Sequence, residues 1–121
     1  MTYRPELNCL DQHSPDLSAA LAQHYLVPPS TEPYSEERIP DRERDTYSQF
    51  QQDRWLDTVL FRGLEGGFFI EAGADDSVQD SNTLLLELRR AWNGLLVEAQ
   101  PTRAKLGRTA HRSARTTTPL L

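Results

Sequence analysis

Two short apolar runs, Phe68-Phe69-Ile70 and Leu95-Leu96-Val97, limit most tightly what this chain can fold into. Neither alternates with polar residues, and turn-forming pairs precede both, Gly66-Gly67 before the first and Asn93-Gly94 before the second. Alternation suits a strand with one wet face, whereas an unbroken run of this length suits a strand covered on both faces, as in a parallel sheet. Between the runs, Leu84, Leu85, Leu88 and Trp92 recur at helical spacing behind Asp80-Ser81, a helix-starting pair. Strand, loop, helix and strand within about 35 residues make a βαβ unit, whose crossover is expected to be right-handed.

Such a unit concentrates chemistry at one edge. In an open α/β sheet, ligands bind beyond the carboxyl ends of the strands, where loops converge and helix N-termini point their N–H groups outward. Glu71 and Glu98 fall at those ends. In the following segment, Ala72-Gly73-Ala74-Asp75-Asp76-Ser77, Gly73 has no Cβ and lets a ligand approach the backbone, and Ala74 is small for the same use. A carboxylate ending the second strand can accept hydrogen bonds from both hydroxyls of a ribose. Phosphate cradles fit less well, because G-x-x-x-x-G-K-[ST] is missing and the Gly73–Ser77 loop lacks a full G-x-G-x-x-G. Two aspartates would also repel a pyrophosphate, while a cationic sulfonium is compatible with them.

Plainer readings of the same residues stand beside these. Glu71 and Glu98 could be solvated strand-end carboxylates, and Ser81-Asn82-Thr83 could be a helix cap. Asp75-Asp76 reads as an exposed acidic turn, since no third ligand has a metal-binding spacing, and no metal is assigned. His13, His24 and His111 are too dispersed to name a nucleophile and base.

The flanks carry their own signals. Ser14-Pro15-Asp16 opens a helix with a cap, a proline in the first turn and an acidic residue at the positive dipole end. Leu17, Ala20 and Leu21 share one face of it, and Pro28-Pro29 limits its length. Residues 30–45 are rich in charge and proline and read as a linker. A second helix follows Ser48, with a docking stripe of Gln52, Leu56, Val59 and Leu60 and a stop at Gly63. Trp55 and Trp92 read as core anchors. All 18 acidic residues lie at or before Glu98, so Arg103, Lys105, Arg108, Arg112 and Arg115 leave the C-terminal end basic. Five charges without aromatics for stacking do not make a nucleic-acid surface. That end is polar, threonine-rich and without apolar alternation, so it reads as a disordered tail and not as a third strand. Cys9 is the single cysteine, which excludes an internal disulfide or thiolate cluster and leaves an inert thiol as its expected role. No run approaches the ~20 apolar residues of a membrane span, and the N-terminus lacks a signal-peptide core.

Three blocks, YSQFQQD at 47–53, GGFFIEAGADDSVQDSNTLLLE at 66–87 and WNGLLVEAQP at 92–101, resemble the FkbM-type methyltransferase domain. The resemblance is closest to the animal Star-like branch, which also shows a helix and a segment similar to HYLVPPS, here 24–30. It implies an α/β chain holding the N-terminal part, the first βαβ unit, of a Rossmann-like S-adenosylmethionine-dependent methyltransferase fold, preceded by two helices. The implied organisation is a helix and linker over 1–46, a partial methyltransferase domain over 47–106 and a basic tail over 107–121. Glu71, Gly73 and Ala74 would form the first S-adenosylmethionine motif, Asp76 would lie in its loop, and Glu98 would hold the adenosine ribose. Gln49 and Asp53 would lie near the cofactor pocket. Two positions depart from the family pattern, Ser77 where glycine is usual and Glu98-Ala99-Gln100-Pro101 where the pattern reads Glu-Pro-Asn-Pro. Two expected strands are far fewer than such a fold requires, so the expectation is a truncated or alternatively spliced product, inactive in methyl transfer alone. The Star-like branch further implies vesicle-mediated transport of protein cargo between endoplasmic reticulum, Golgi, endosome and plasma membrane. Its N-terminal membrane anchor has no counterpart in this sequence, which leaves a cytoplasmic location open.

Overall fold

A computed structural model describes residues 4–118 of the chain. After a short 3₁₀ turn at Pro5–Cys9 come α1 (Pro15–Tyr25), β1 (Leu26–Val27), α2 (Gln52–Trp55) running into a π turn at Leu56–Leu60, and β2 (Phe68–Ala72). Then follow α3 (Leu84–Arg90), β3 (Asn93–Val97), α4 (Pro101–Arg108) and β4 (Arg115–Thr117). The four strands make one mixed sheet in the order β1-β4-β3-β2. β2, β3 and β4 are mutually parallel, with Ile70 opposite Leu95 and Leu96 opposite Thr116, while β1 is antiparallel to β4. The fold class is therefore α/β, and the βαβ arrangement expected over 66–97 is followed directly by a second one through α4.

The helix between β2 and β3 is buried around most of its circumference. Leu84, Leu85 and Leu86 are each at most 2% exposed. Leu86 meets Phe69, Trp92, Leu96 and Ala114 against the sheet, whereas Leu84 and Leu85 meet Ile39, Tyr47 and Ala110 on the other side. Ala91, left-handed at φ 52°, closes α3, and Trp92 leaves it to donate its indole N–H to the Leu64 carbonyl at 2.7 Å.

Four expectations are corrected. The segment over 30–45 is not a free linker: Ile39 is 1% exposed, Tyr34 bonds Glu87, and the Ser35 N–H bonds the Ala110 carbonyl. Its charges gave it a solvated look, but Arg38 is spent on Asp76 at 3.1 Å. The expected disorder over 107–121 fails for residues 107–118, which finish α4, bury Ala110, Arg112 and Ala114, and supply β4 as a third parallel strand. β4 is held by backbone pairing on both sides and by Thr117, which bonds the Tyr25 carbonyl, so it needs little apolar content. The expected docking stripe faces outward, with Val59 and Leu60 more than half exposed, and Trp55, also more than half exposed, anchors no core. The inward face is instead buried Asp53 and Asp57 with partly buried Phe61, each one residue beyond the expected Gln52, Leu56 and Leu60. Polar residues win that face because their carboxylates are satisfied: Asp57 takes a two-pronged bond from Arg90 at 2.9 and 3.2 Å.

Candidate functional site

The carboxyl ends of β2 and β3 are stitched together by backbone. The N–H groups of Gly73 and Ala74 both bond the Val97 carbonyl, at 2.8 and 3.0 Å, which folds the loop after β2 over the end of β3. Gly73 needs its glycine: φ is +73°, and a Cβ there would project into space with no atom within 4 Å. Glu98 closes the corner. Its Oε2 accepts the Asp75 N–H at 2.6 Å and its Oε1 the Gln100 N–H at 2.8 Å. Each carboxylate oxygen has two lone pairs, so both retain capacity for a further donor.

Asp75 and Asp76 have opposite fates in this loop. Asp75, left-handed at φ 50°, aims its carboxylate at α4, where Arg103 grips it with Nε at 2.5 Å and Nη2 at 2.9 Å. The guanidinium holds the Asp75 carboxyl below its ordinary range, and the pair raises Arg103 in turn. Asp76 is buried, which pushes its carboxyl up, yet the N–H groups of Val78 and Gln79 and the Arg38 side chain together bring it below the usual value. Ser77 adopts φ 68° despite its Cβ, and its hydroxyl occupies space left by Gly107, where a Cβ would come within 2.4 Å of Ser77 Oγ.

Glu71 points elsewhere. Its Oε2 accepts from Ser81 Oγ at 3.0 Å and Thr83 Oγ1 at 2.6 Å, its Oε1 accepts the Asn82 N–H at 2.7 Å, and Arg112 lies 3.6 Å away. Ser81 Oγ in turn accepts the Leu84 N–H at 3.1 Å, so this stretch leads into α3, whose N-cap residue, Thr83, makes no side-chain cap bond of its own. Arg112, with its side chain 2% exposed, reaches Glu87, the Ser77 carbonyl, Ser81 and Thr83 in one fan and lies over the Phe69 ring. Glu87 also accepts the Tyr34 hydroxyl, and burial together with that carboxylate pushes the phenol up to about 12.

The structure thus brings Gly73, Ala74 and Glu98 to one corner, with Asp76 in the same loop, and turns Glu71 into the buried network behind it. Asp53 is fully buried, its oxygens taken by Thr46, Arg54, Tyr47 and Ser48, and it serves the entry of α2. Gln49 is exposed beside it. Sequence reasoning missed Arg103 and Arg112. Arg103 had a signal, two residues into a helix opened by Pro101 and five beyond Glu98, whereas a buried arginine in a polar tail gives none. It also missed that Ser30 Oγ meets His111 Nδ1 at 2.9 Å. Ser30 Oγ also accepts the Glu32 N–H at 3.0 Å, so the contact ties the turn after Pro29 to the segment that follows α4.

Cavities of about 420, 160 and 430 Å³ open at the 38–47 strap, between β4 and α4, and along β2; Gly73, Ala74 and Glu98 line none of these three. Among the described residues no three His, Cys, Asp or Glu side chains are grouped to hold a metal ion. None of the described helices is long and apolar enough to cross a membrane. No protein-family model matches the chain, and neither a curated protein nor a solved structure matches it.

Proposed function

We propose that this chain binds the adenosine portion of S-adenosylmethionine at the Gly73–Glu98 corner, as an FkbM-type methyltransferase-like unit that holds cofactor without transferring a methyl group by itself. The observation that carries the reading is the carboxylate of Glu98, fixed at the end of β3 by two backbone N–H groups and joined through Asp75 to the open Gly73 turn at the end of β2. A ribose diol needs an acceptor already held in place, and these bonds orient Glu98 while leaving a lone pair on each oxygen. The unfilled space at Gly73 lets a ligand lie against the backbone, while Asp75 and Asp76 are already paired with Arg103 and Arg38 and shape the loop without offering a free charge. When bound, the cofactor supplies an electrophilic methyl group; the residues here bind and orient it. Glu71 and Asp53 fall outside the binding set because their oxygens are committed to α3 and α2.

Titration calorimetry with S-adenosylhomocysteine and S-adenosylmethionine tests this. Hydrogen bonds to a charged acceptor contribute about 1.5–3 kcal/mol, so E98A should weaken binding by at least tenfold, while NAD binds worse than either. Equal binding by E98A and the parent chain, or no heat with millimolar ligand, overturns the reading.

A further inference from the structure

The outer edge of β2 is open and unusually apolar. The Asn93 N–H bonds the Gly67 carbonyl, and the Gly73 N–H bonds the Val97 carbonyl, so residues 67, 69, 71 and 73 turn their backbone toward β3. Alternation then turns the N–H and C=O groups of Phe68, Ile70 and Ala72 outward, where no strand of the described residues pairs with them. Their side chains share one face, and Phe68 and Ile70 are 63% and 68% exposed. Edge strands of monomeric proteins are normally blunted by lysine, proline, a bulge or an inward charge. β2 has neither a proline nor a lysine, and its one charge, Glu71, is consumed by the residues that lead into α3.

We infer that this edge is a homodimer interface, in which β2 pairs antiparallel with β2 of a second copy about a two-fold axis at Ile70. The register follows from the strand itself. Centring on Ile70 sets Ile70 against its own counterpart and Phe68 against the partner's Ala72, large against small on both sides of the axis. Each residue whose backbone faces out then meets another, so every unpaired N–H and C=O of the edge finds a partner. A groove of about 430 Å³ already runs along this edge, lined by Leu56 and Phe61 with Phe68 and Ile70. The same turns carry Trp55, Val59 and Leu60, all more than half exposed, as is Leu64 just ahead of the strand. At about 200 Å² per large side chain, Phe68 and Ile70 expose roughly 260 Å² of apolar surface on the strand itself. The turns beside the groove must supply the rest of the ~800 Å² each partner contributes to a stable interface. The net charge of −5 opposes self-association, but the outward face of the strand carries no charge, so repulsion is weakest there.

The test is sedimentation equilibrium of the full chain from about 5 to 200 μM, beside I70K, whose substitution lies outside the core and whose circular dichroism reports on folding. The expected result is a dimer for the parent chain and at least a tenfold weaker dimer for folded I70K. In a C9S background, I70C should form an intermolecular disulfide on mild oxidation, because its two copies sit on the axis, whereas A72C should not. A parent chain that stays monomeric throughout, a dimer unaffected by I70K, or crosslinking of A72C as fast as I70C overturns the inference.

Discussion

Replacing Arg112 with methionine keeps the length and apolar body of the side chain and removes the guanidinium from a buried site. The guanidinium touches Glu87 at 3.3 Å, the Ser77 carbonyl at 3.0 Å, Ser81 Oγ at 3.1 Å, Thr83 Oγ1 at 3.0 Å and Glu71 at 3.6 Å. Both carboxylates are almost completely enclosed, at 1% side-chain exposure for Glu87 and 9% for Glu71. Removing one partner of a buried ionic group costs about 3–5 kcal/mol, because the remaining charge is left without its counterion. Here the carboxylates keep other donors: Glu87 the N–H groups of Ser113 and Ala114 and the Tyr34 hydroxyl, Glu71 those of Ser81, Asn82 and Thr83. The lower end, about 3 kcal/mol, is therefore expected for R112M. For a chain of this size that lowers Tm by about 10–15 °C, measured by circular dichroism at 222 nm. E87Q combined with R112M should cost less than the two single changes together, with a coupling of at least ~1 kcal/mol, since the second change removes the stranded charge. A loss below ~1 kcal/mol in R112M, or strict additivity with E87Q, would refute the view that this fan holds the 76–87 region in place.

The other predictions follow the same reasoning. D53N keeps the shape but replaces one acceptor oxygen by N–H₂, which must face either the Tyr47 and Ser48 N–H groups or the Thr46 hydroxyl and Arg54 N–H, and should cost about 1–3 kcal/mol in a urea melt. G94A should cost about 3 kcal/mol or prevent folding, since its Cβ would lie 2.4 Å from the Phe69 carbonyl oxygen; G73A meets no atom within 4 Å and loses only the ~1–2 kcal/mol of a left-handed Cβ. Asp75 and Asp76 both titrate below their ordinary value in the folded chain, so they stabilise it fully above about pH 4 and progressively less as the pH falls through their folded pKa values. R103Q should raise the Asp75 carboxyl toward the ordinary range and flatten that acid loss, as read by carboxyl-carbon NMR titration; an unmoved Asp75 signal would refute the assigned cause.

How much of this was legible beforehand depends on what each element uses to hold itself. β2 and β3 declared themselves through the unbroken runs Phe68-Phe69-Ile70 and Leu95-Leu96-Val97, but the cover expected on both faces is missing from β2, where Phe69 is buried and Phe68 and Ile70 are mostly exposed. Gly73 and Glu98 followed from their place at the strand ends. β4 was illegible because a strand flanked on both sides can rely on its backbone, and Arg115-Thr116-Thr117 has no apolar pattern to show. The helix after Ser48 misled for a related reason: Asp53 and Asp57 have the same period as the apolar stripe, and hydropathy alone assigns carboxylates to water. Only their partners, Thr46, Tyr47, Ser48 and Arg54 for one and Arg90 for the other, reverse that assignment. Glu71 was misread in the same way, since a strand-end carboxylate looks free until the residues that lead into α3 are seen to claim it.

The central proposal, an adenosine-binding corner built on Gly73 and Glu98, is most directly tested by amide NMR of the full chain titrated with S-adenosylhomocysteine. It predicts saturable shifts confined to the amides of Gly73, Ala74, Asp75 and Gln100 and their neighbours, and the loss of those shifts in E98A. Saturable shifts centred on another part of the chain, or an unperturbed spectrum at millimolar ligand, would contradict it.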